Sequence, residues 1–226
     1  MKIDFAVISE TGRRSNNEDF VKVIDYNNEG KWLGVVCDGM GGHAMGEVAS
    51  ESVCNTVCDY WEKHRDEDAL IKARRACRAA ATKLDDHGIK CNHVQMGTTL
   101  VMASIEGNMI TITHCGDSRC YLLRENETIH QTKDHIKISF GWEIISRCFF
   151  TYKPKAAVPD IAQFEVRPGD RILLCSDGLY KSMPPEILEE RMMDDKSPEV
   201  LLDVLASMCE KNSDDNYSGI LAIVKE

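Results

Sequence analysis

The chain has 226 residues, a net charge of −10, 43% hydrophobic and 28% charged residues. That length and apolar content can fill one sizeable core, and the acidic balance argues against a nucleic-acid partner, which is held through basic patches. The ten cysteines include no CxxC pair, no signal peptide opens the chain, and no apolar run reaches the length of a membrane span, so free thiols in a reducing cytoplasm are expected.

Ile3–Ser9 alternates as an edge strand does, and Thr11–Asp19 (TGRRSNNED) is a polar loop. Phe20–Tyr26 and Lys31–Cys37 read as a hairpin around Asn27-Asn28-Glu29-Gly30. A glycine-rich turn, Gly39–Gly46, leads into a helix with Ala49, Val53, Val57 and Tyr60 on its apolar face. A second helix carries Leu70, Ala73, Cys77, Ala80 and Leu84 at three- and four-residue spacing and should lie antiparallel to the first. Cys54 and Cys58 fall four apart within the first helix pattern.

Thr98–Ile105, Met109–His114 and Ser118–Arg124 are strand candidates, and Thr128–Gln131 adds a short one. The stretch His135–Asp160 shows no clean period, although it supplies Phe140, Trp142, Phe149, Phe150 and Tyr152 and a basic Lys153–Lys155 segment. Ile161–Val166 and Arg171–Cys175 read as strands about Pro168-Gly169-Asp170. Pro184-Pro185 opens a short helix; Ser197-Pro198 resembles an N-cap followed by proline at the first helical position. The helix that follows presents Leu201, Leu202, Leu205, Met208 and Cys209, and Tyr217–Val224 is the last strand. Hairpins dominate, so the predicted fold is α+β: a four-layer α-β-β-α sandwich of two mostly antiparallel sheets flanked by helix pairs, in one domain over residues 1–226.

Four aspartates recur at the ends of these strands. Asp38 follows Leu33–Cys37, Asp117 follows Gly116, Asp177 precedes Gly178, and Asp215 precedes Asn216 and the last strand. Any one of them is adequately a turn residue. Were all four to converge, their mutual repulsion would call for cations between them, and oxygen donors select hard divalent ions such as Mg²⁺ or Mn²⁺. The neighbouring Cys37, Cys115 and Cys175 are read as small buried strand residues without chemistry.

RSNNED (Arg14–Asp19), DGMGGHAMGEVAS (Asp38–Ser50), GTT (Gly97–Thr99), GDSR (Gly116–Arg119), SDGL (Ser176–Leu179) and Asp215-Asn216 occur in that order. With them the sequence resembles the metal-dependent serine/threonine protein phosphatases of the 2C type, particularly the compact bacterial members, from Asp4 to Val224. The resemblance implies that Asp38 bridges two metal ions, with Asp177 and Asp215 on the first, and the Gly39 carbonyl and Glu18, through water, on the second. Asp19 stands beside Glu18, and Asp117 with Asp177 holds a weaker third ion. Arg14 matches the phosphate-binding arginine, Arg13 being its neighbour out of register. The reaction implied is hydrolysis of phosphoserine and phosphothreonine by direct attack of a metal-activated water.

The proton donor to the leaving oxygen stays open between His43 and metal-bound water, because Met40 stands where animal members carry a histidine. Glu47 caps or supports the first helix, Arg119 pairs with a carboxylate, Thr98 and Thr99 pack beneath the site, and Gly41 and Gly42 are backbone devices. His135 is structural and His114 is a hydrogen-bonded core histidine. Residues 136–160 stand where the family has its flap, shortened or divergent here, with Arg147 roughly in place of a flap arginine. The implied partners are phosphorylated proteins that a serine/threonine kinase has modified, met by a monomer in the cytoplasm. Two alternatives remain: a non-catalytic pseudophosphatase or phosphoprotein-binding regulator on the same fold, and a hydrolase of small phosphate esters.

Overall fold

The structure, a computed structural model, describes residues 1–26, 29–40 and 45–226. The strands are β1 (Lys2–Glu10), β2 (Asp19–Tyr26), β3 (Lys31–Asp38), β4 (Gly97–Thr98), β5 (Leu100–Glu106), β6 (Met109–Cys115), β7 (Arg119–Arg124), β8 (Glu127–Gln131), β9 (Ile136–Ser139), β10 (Trp142–Ile145), β11 (Phe149–Phe150), β12 (Asp160–Glu165), β13 (Arg171–Cys175) and β14 (Tyr217–Lys225). The α-helices are α1 (Gly46–Lys63), α2 (Ala69–Lys90), α3 (Asp177–Tyr180), α4 (Pro185–Met192) and α5 (Pro198–Asn212). One five-stranded sheet runs β1-β14-β13-β7-β8 and the other β12-β6-β5-β3-β2, with every pairing antiparallel.

Period-2 alternation builds three apolar layers from these two sheets. On β3, Leu33, Val35 and Cys37 turn outward against α1 and α2, joining Val53, Val57, Ala73 and Leu84. Trp32 and Val36 turn inward and meet Ile172, Leu174 and Ile220 of the other sheet. Leu173 and Cys175 of β13 face the third layer, with Leu188, Leu201 and Leu205 of the helices beyond. The α-β-β-α sandwich is therefore as predicted, with β1 at an edge.

Several details differ from the sequence expectations. The strand expected over 98–105 breaks at Thr99, between β4 and β5. The second helix layer gains the one-turn α3, too short to show a period. Tyr60, Leu70 and Met208 are only half-buried at the margins of their helical faces. Ser197 takes the N-cap place of α5 in extended backbone, but its side chain makes no cap hydrogen bond. The turn at Asn27 and Asn28 lies outside the described residues.

The stretch without a legible period forms a second, smaller hairpin. β9 and β10 pair around Phe140 and Gly141, both at positive φ (52° and 83°), the conformation a tight two-residue hairpin turn requires. β11 then pairs with β4, and a 3₁₀ turn at Pro154–Ala156 leads back to β12. Among the described residues all ten cysteines are free, and no helix is long and apolar enough to cross a membrane.

Candidate metal centre and active site

Strand register brings the aspartates together. In one sheet Val36 of β3 pairs with Val101, and Leu100 pairs with Cys115. The end of β3, which carries Asp38, thus lies beside the turn that carries Asp117. In the other sheet Cys175 pairs with both Arg119 and Gly219. That places Asp177 and Asp215 at the same end of the sandwich as Asp117. All four aspartates line one open cleft of about 1010 Å³, together with Glu18, Gly39 and Arg14.

Asp38 is held by its backbone. Its N–H donates to Thr99 Oγ1 (3.0 Å), and its carbonyl accepts from Thr99 N–H (2.9 Å) and Thr98 Oγ1 (2.9 Å). Thr99 Oγ1 in turn lies 2.7 Å from Ser118 Oγ. Both threonines hold the end of β3, and Thr99 also ties it to the β6–β7 turn. Gly39 N–H donates to the Glu18 carbonyl (3.0 Å). Two glycines are required sterically: a Cβ on Gly116, at φ +130°, would meet Thr99 at 2.6 Å, and one on Gly178 would meet the Asn216 carbonyl oxygen at 2.0 Å.

The electrostatics follow from the crowding. Burial, then the charges of Asp19, Asp177, Asp117 and Asp215, hold the Asp38 carboxyl well above the ordinary carboxylate range. Burial and the adjacent Asp177 raise Asp117 to about 6. Burial, and next the charge of Glu47, raises Glu18. A set of carboxylates each disfavoured by its neighbours, open to a cleft and made of oxygen donors alone, fits hard divalent cations. The residues present thus suit a core pair of such ions, while the Lys181 ammonium stands at the Asp117 and Asp177 carboxylates.

Asp19 sits beneath the cleft rather than in it. Buried opposite Asp38 in the β2–β3 pairing, it accepts from Ser176 Oγ at 2.8 Å, and burial raises it to about 7 despite that hydrogen bond. It supports the strand end that precedes Asp177.

The two arginines take different directions. Arg14 lines the cleft and reaches Asp215 Oδ2 at 3.0 Å and the Asp214 carbonyl at 3.1 Å. Arg13 turns away to Asp214 Oδ1 (2.7 Å) and the Lys211 carbonyl (2.9 Å). Asn216 staples the loop that carries Arg14: its Nδ2 donates to the Thr11 and Asn16 carbonyls, and its Oδ1 accepts from Glu18 N–H (2.9 Å). His43, the candidate proton donor, and Gly41 and Gly42 lie outside the described residues.

Arg119 forms a bidentate pair with Asp134 (both contacts 2.8 Å), its guanidinium 3.7 Å over the Tyr180 ring, and so does not reach into the cleft. Glu47 lies in the first turn of α1, where a negative charge suits the helix dipole, and is not a cap: Met45 holds that position without a side-chain bond.

His135 Nδ1 accepts from Gly116 N–H (3.2 Å), its Nε2 meets Asp160 Oδ2 (3.0 Å), and Arg147 grips Asp160 with contacts of 2.7 and 2.8 Å. Burial holds His135 below its ordinary pKa, in the neutral form that can accept from an amide. His114, stacked on His135, meets the Lys133 carbonyl at 3.0 Å. His114, His135 and Asp160 approach within 4.8 Å of one another. The Arg147 cation already occupies the Asp160 carboxylate, so this is a structural network.

Sequence reasoning missed two groups. The β9–β10 hairpin lends Lys137, Glu143, Ile144 and Ile145 to the cleft wall; its residues carry no motif. Lys181 places Nζ 2.7 Å from Asp177 Oδ2 and 3.9 Å from Asp117 Oδ2; the four-residue spacing from Asp177 was its one signal.

Comparison with known proteins agrees with this site. A family model described as "Protein phosphatase 2C" matches residues 9–221. The serine/threonine protein phosphatase PstP of Mycobacterium tuberculosis is 33% identical over 206 residues, covering 83% of this chain; the chain spans 38% of that relative's length. The catalytic domain of PstP, solved in complex with two manganese ions, superposes with a TM-score of 0.82 at 30% identity over 99% of each chain. The serine/threonine phosphatase Stp1 of Staphylococcus aureus gives a TM-score of 0.88 at 26% identity, over 100% of this chain and 96% of that one. Fold, order of motifs and family match agree, and the chain belongs to the protein phosphatase 2C family.

Proposed function

We propose that the chain is a cytoplasmic, metal-dependent serine/threonine protein phosphatase, with residues 1–226 forming one catalytic domain and 136–160 its flap. The observation that carries this reading is the convergence of Asp38, Asp117, Asp177 and Asp215 on one cleft with Arg14 at its rim. Asp38 would be shared by both ions, Asp177 and Asp215 would complete one, and the Gly39 carbonyl and Glu18, through water, would serve the other. When bound, two Mn²⁺ or Mg²⁺ ions supply an acidified water and neutralise the phosphoryl charge.

The protein residues do the rest. Arg14 can leave Asp215 and present its planar fork to two phosphate oxygens, orienting the ester for in-line attack. Thr98 and Thr99 fix the Asp38 backbone, so the ligand does not reorganise as substrate enters. Met40, on the cleft wall, offers no proton, which leaves His43 or water as donor to the departing serine or threonine oxygen. The expected substrates are phosphoproteins made by a serine/threonine kinase, met by a monomer.

The test is phosphate release from a phosphothreonine peptide by the purified chain. Mn²⁺-dependent turnover, abolished by chelation and by Asp38→Ala, supports the reading. Metal binding without turnover on any phosphopeptide or phosphoprotein would point to the non-catalytic regulator, and turnover confined to small esters to the third alternative.

A further inference from the structure

The position between Asp117 and Asp177 is where a third cation would sit, and the chain places its own cation there. Lys181 closes the single turn of α3: its N–H donates to the Asp177 carbonyl (2.9 Å), which fixes the side chain four residues on, directly over the Asp177 carboxylate. The ammonium then lies 2.7 Å from Asp177 Oδ2 and 3.9 Å from Asp117 Oδ2, so one charge faces both carboxylates. Tyr180 closes one side, its ring centroid 5.8 Å from Nζ, and the Arg119 guanidinium already stacks on that ring. The Lys181 ammonium engages Asp177 through Oδ2, which leaves Oδ1 for the bridging centre.

We propose that Lys181 is a built-in replacement for the third cation, so that this phosphatase holds two ions and excludes a third from the Asp117–Asp177 position. This rests on the metal-centre reading above. A divalent ion there would have to displace a hydrogen-bonded ammonium or share the site with it. A positive charge within 4 Å in a half-buried site opposes a second cation strongly. Lys181 is thus a positioning residue: it neutralises the outer carboxylates and holds Asp177 in one orientation.

The test counts Mn²⁺ bound to the full chain, by calorimetric titration and by the loss of the free-ion electron paramagnetic resonance signal. The expected result is two ions for the wild type and for Lys181→Arg, and three for Lys181→Ala and Lys181→Gln, the third binding at least about tenfold more tightly than any third ion in the wild type. The Lys181 side chain is 51% exposed, so truncation should leave the fold intact, which circular dichroism of both variants checks. Three ions in the wild type, or two in both truncations, would overturn the inference and leave the metal centre standing. Fewer than two in the wild type would overturn both.

Discussion

Removing a carboxylate from the cleft should stabilise the metal-free protein. Asp117 is buried, and its carboxyl titrates at about 6 against an ordinary value of 3.8. At about 1.4 kcal/mol per pH unit, its charged form costs the fold about 3 kcal/mol at neutral pH. The sign follows from linkage. The folded state holds this proton more tightly than the unfolded state, so the penalty is absent below the unfolded pKa, sets in as pH rises from about 4, and is complete above about 6.5. Asp117→Asn keeps the shape and cannot ionise. In metal-free buffer, urea unfolding at pH 4.5, 5.5, 6.5 and 7.5 should show the variant gaining on the wild type by about 2 kcal/mol across that range. A constant offset from the amide's own hydrogen bonding would not change this slope. A difference that stays flat with pH, or that favours the wild type as pH rises, would refute the view that burial and the neighbouring Asp177 disfavour the charged form of Asp117 in the metal-free fold.

Two further outcomes follow from the surroundings of the site. His135→Ala should cost about 2 kcal/mol in chemical denaturation, because it strips the acceptor from the buried Gly116 N–H and loosens the turn that carries Asp117; His135→Gln, which can still accept, should recover part of that loss. Truncating both Phe140 and Trp142, which are 100% and 76% exposed at the hairpin tip, should leave stability within about 0.5 kcal/mol, yet raise KM for phosphoprotein substrates several-fold with little change for a small aryl phosphate. Equal effects on both substrates would show that the tip does not meet the protein part of the substrate.

What the sequence revealed depended on what each residue packs against. Leu33–Cys37 and Ile172–Cys175 were readable as continuous apolar runs because those strands are covered on both faces, and each side chain reports a core. The Asp-Gly ends were visible as turns, but that they converge is a property of register across two sheets, which no local pattern encodes; six motifs in order supplied it by resemblance. The stretch 136–160 stayed illegible for the opposite reason. Ile138, Phe140 and Trp142 hang in solvent, so apolar residues there mark no buried face, and β11 is two residues long. Lys181 was overlooked because a lysine one turn after an aspartate is ordinarily a helix-surface pair. Only the nearness of Asp117 sets it apart from such a pair.

The division between rigid and exposed parts also separates the exposed β9–β10 hairpin from the cleft carboxylates. Its base is fastened at several points. Ser146 N–H and Oγ both donate to the His135 carbonyl, Thr151 Oγ1 accepts from Met96 N–H, and Tyr152 N–H donates to Asp85 of α2. Arg147 clamps Asp160 at the start of β12. The cleft carboxylates hang instead from β3, the β6–β7 turn, α3 and the loop before β14, each anchored in the sandwich. The two sets meet through His135, whose ring accepts from the amide of Gly116 on one side and contacts Asp160 on the other. A change at the hairpin tip therefore alters what the cleft wall presents to a substrate, whereas a change in the His135–Asp160–Arg147 chain reaches the backbone beside Asp117. On the proposed function, substrate selection and metal geometry should prove separable for the first kind of substitution and coupled for the second.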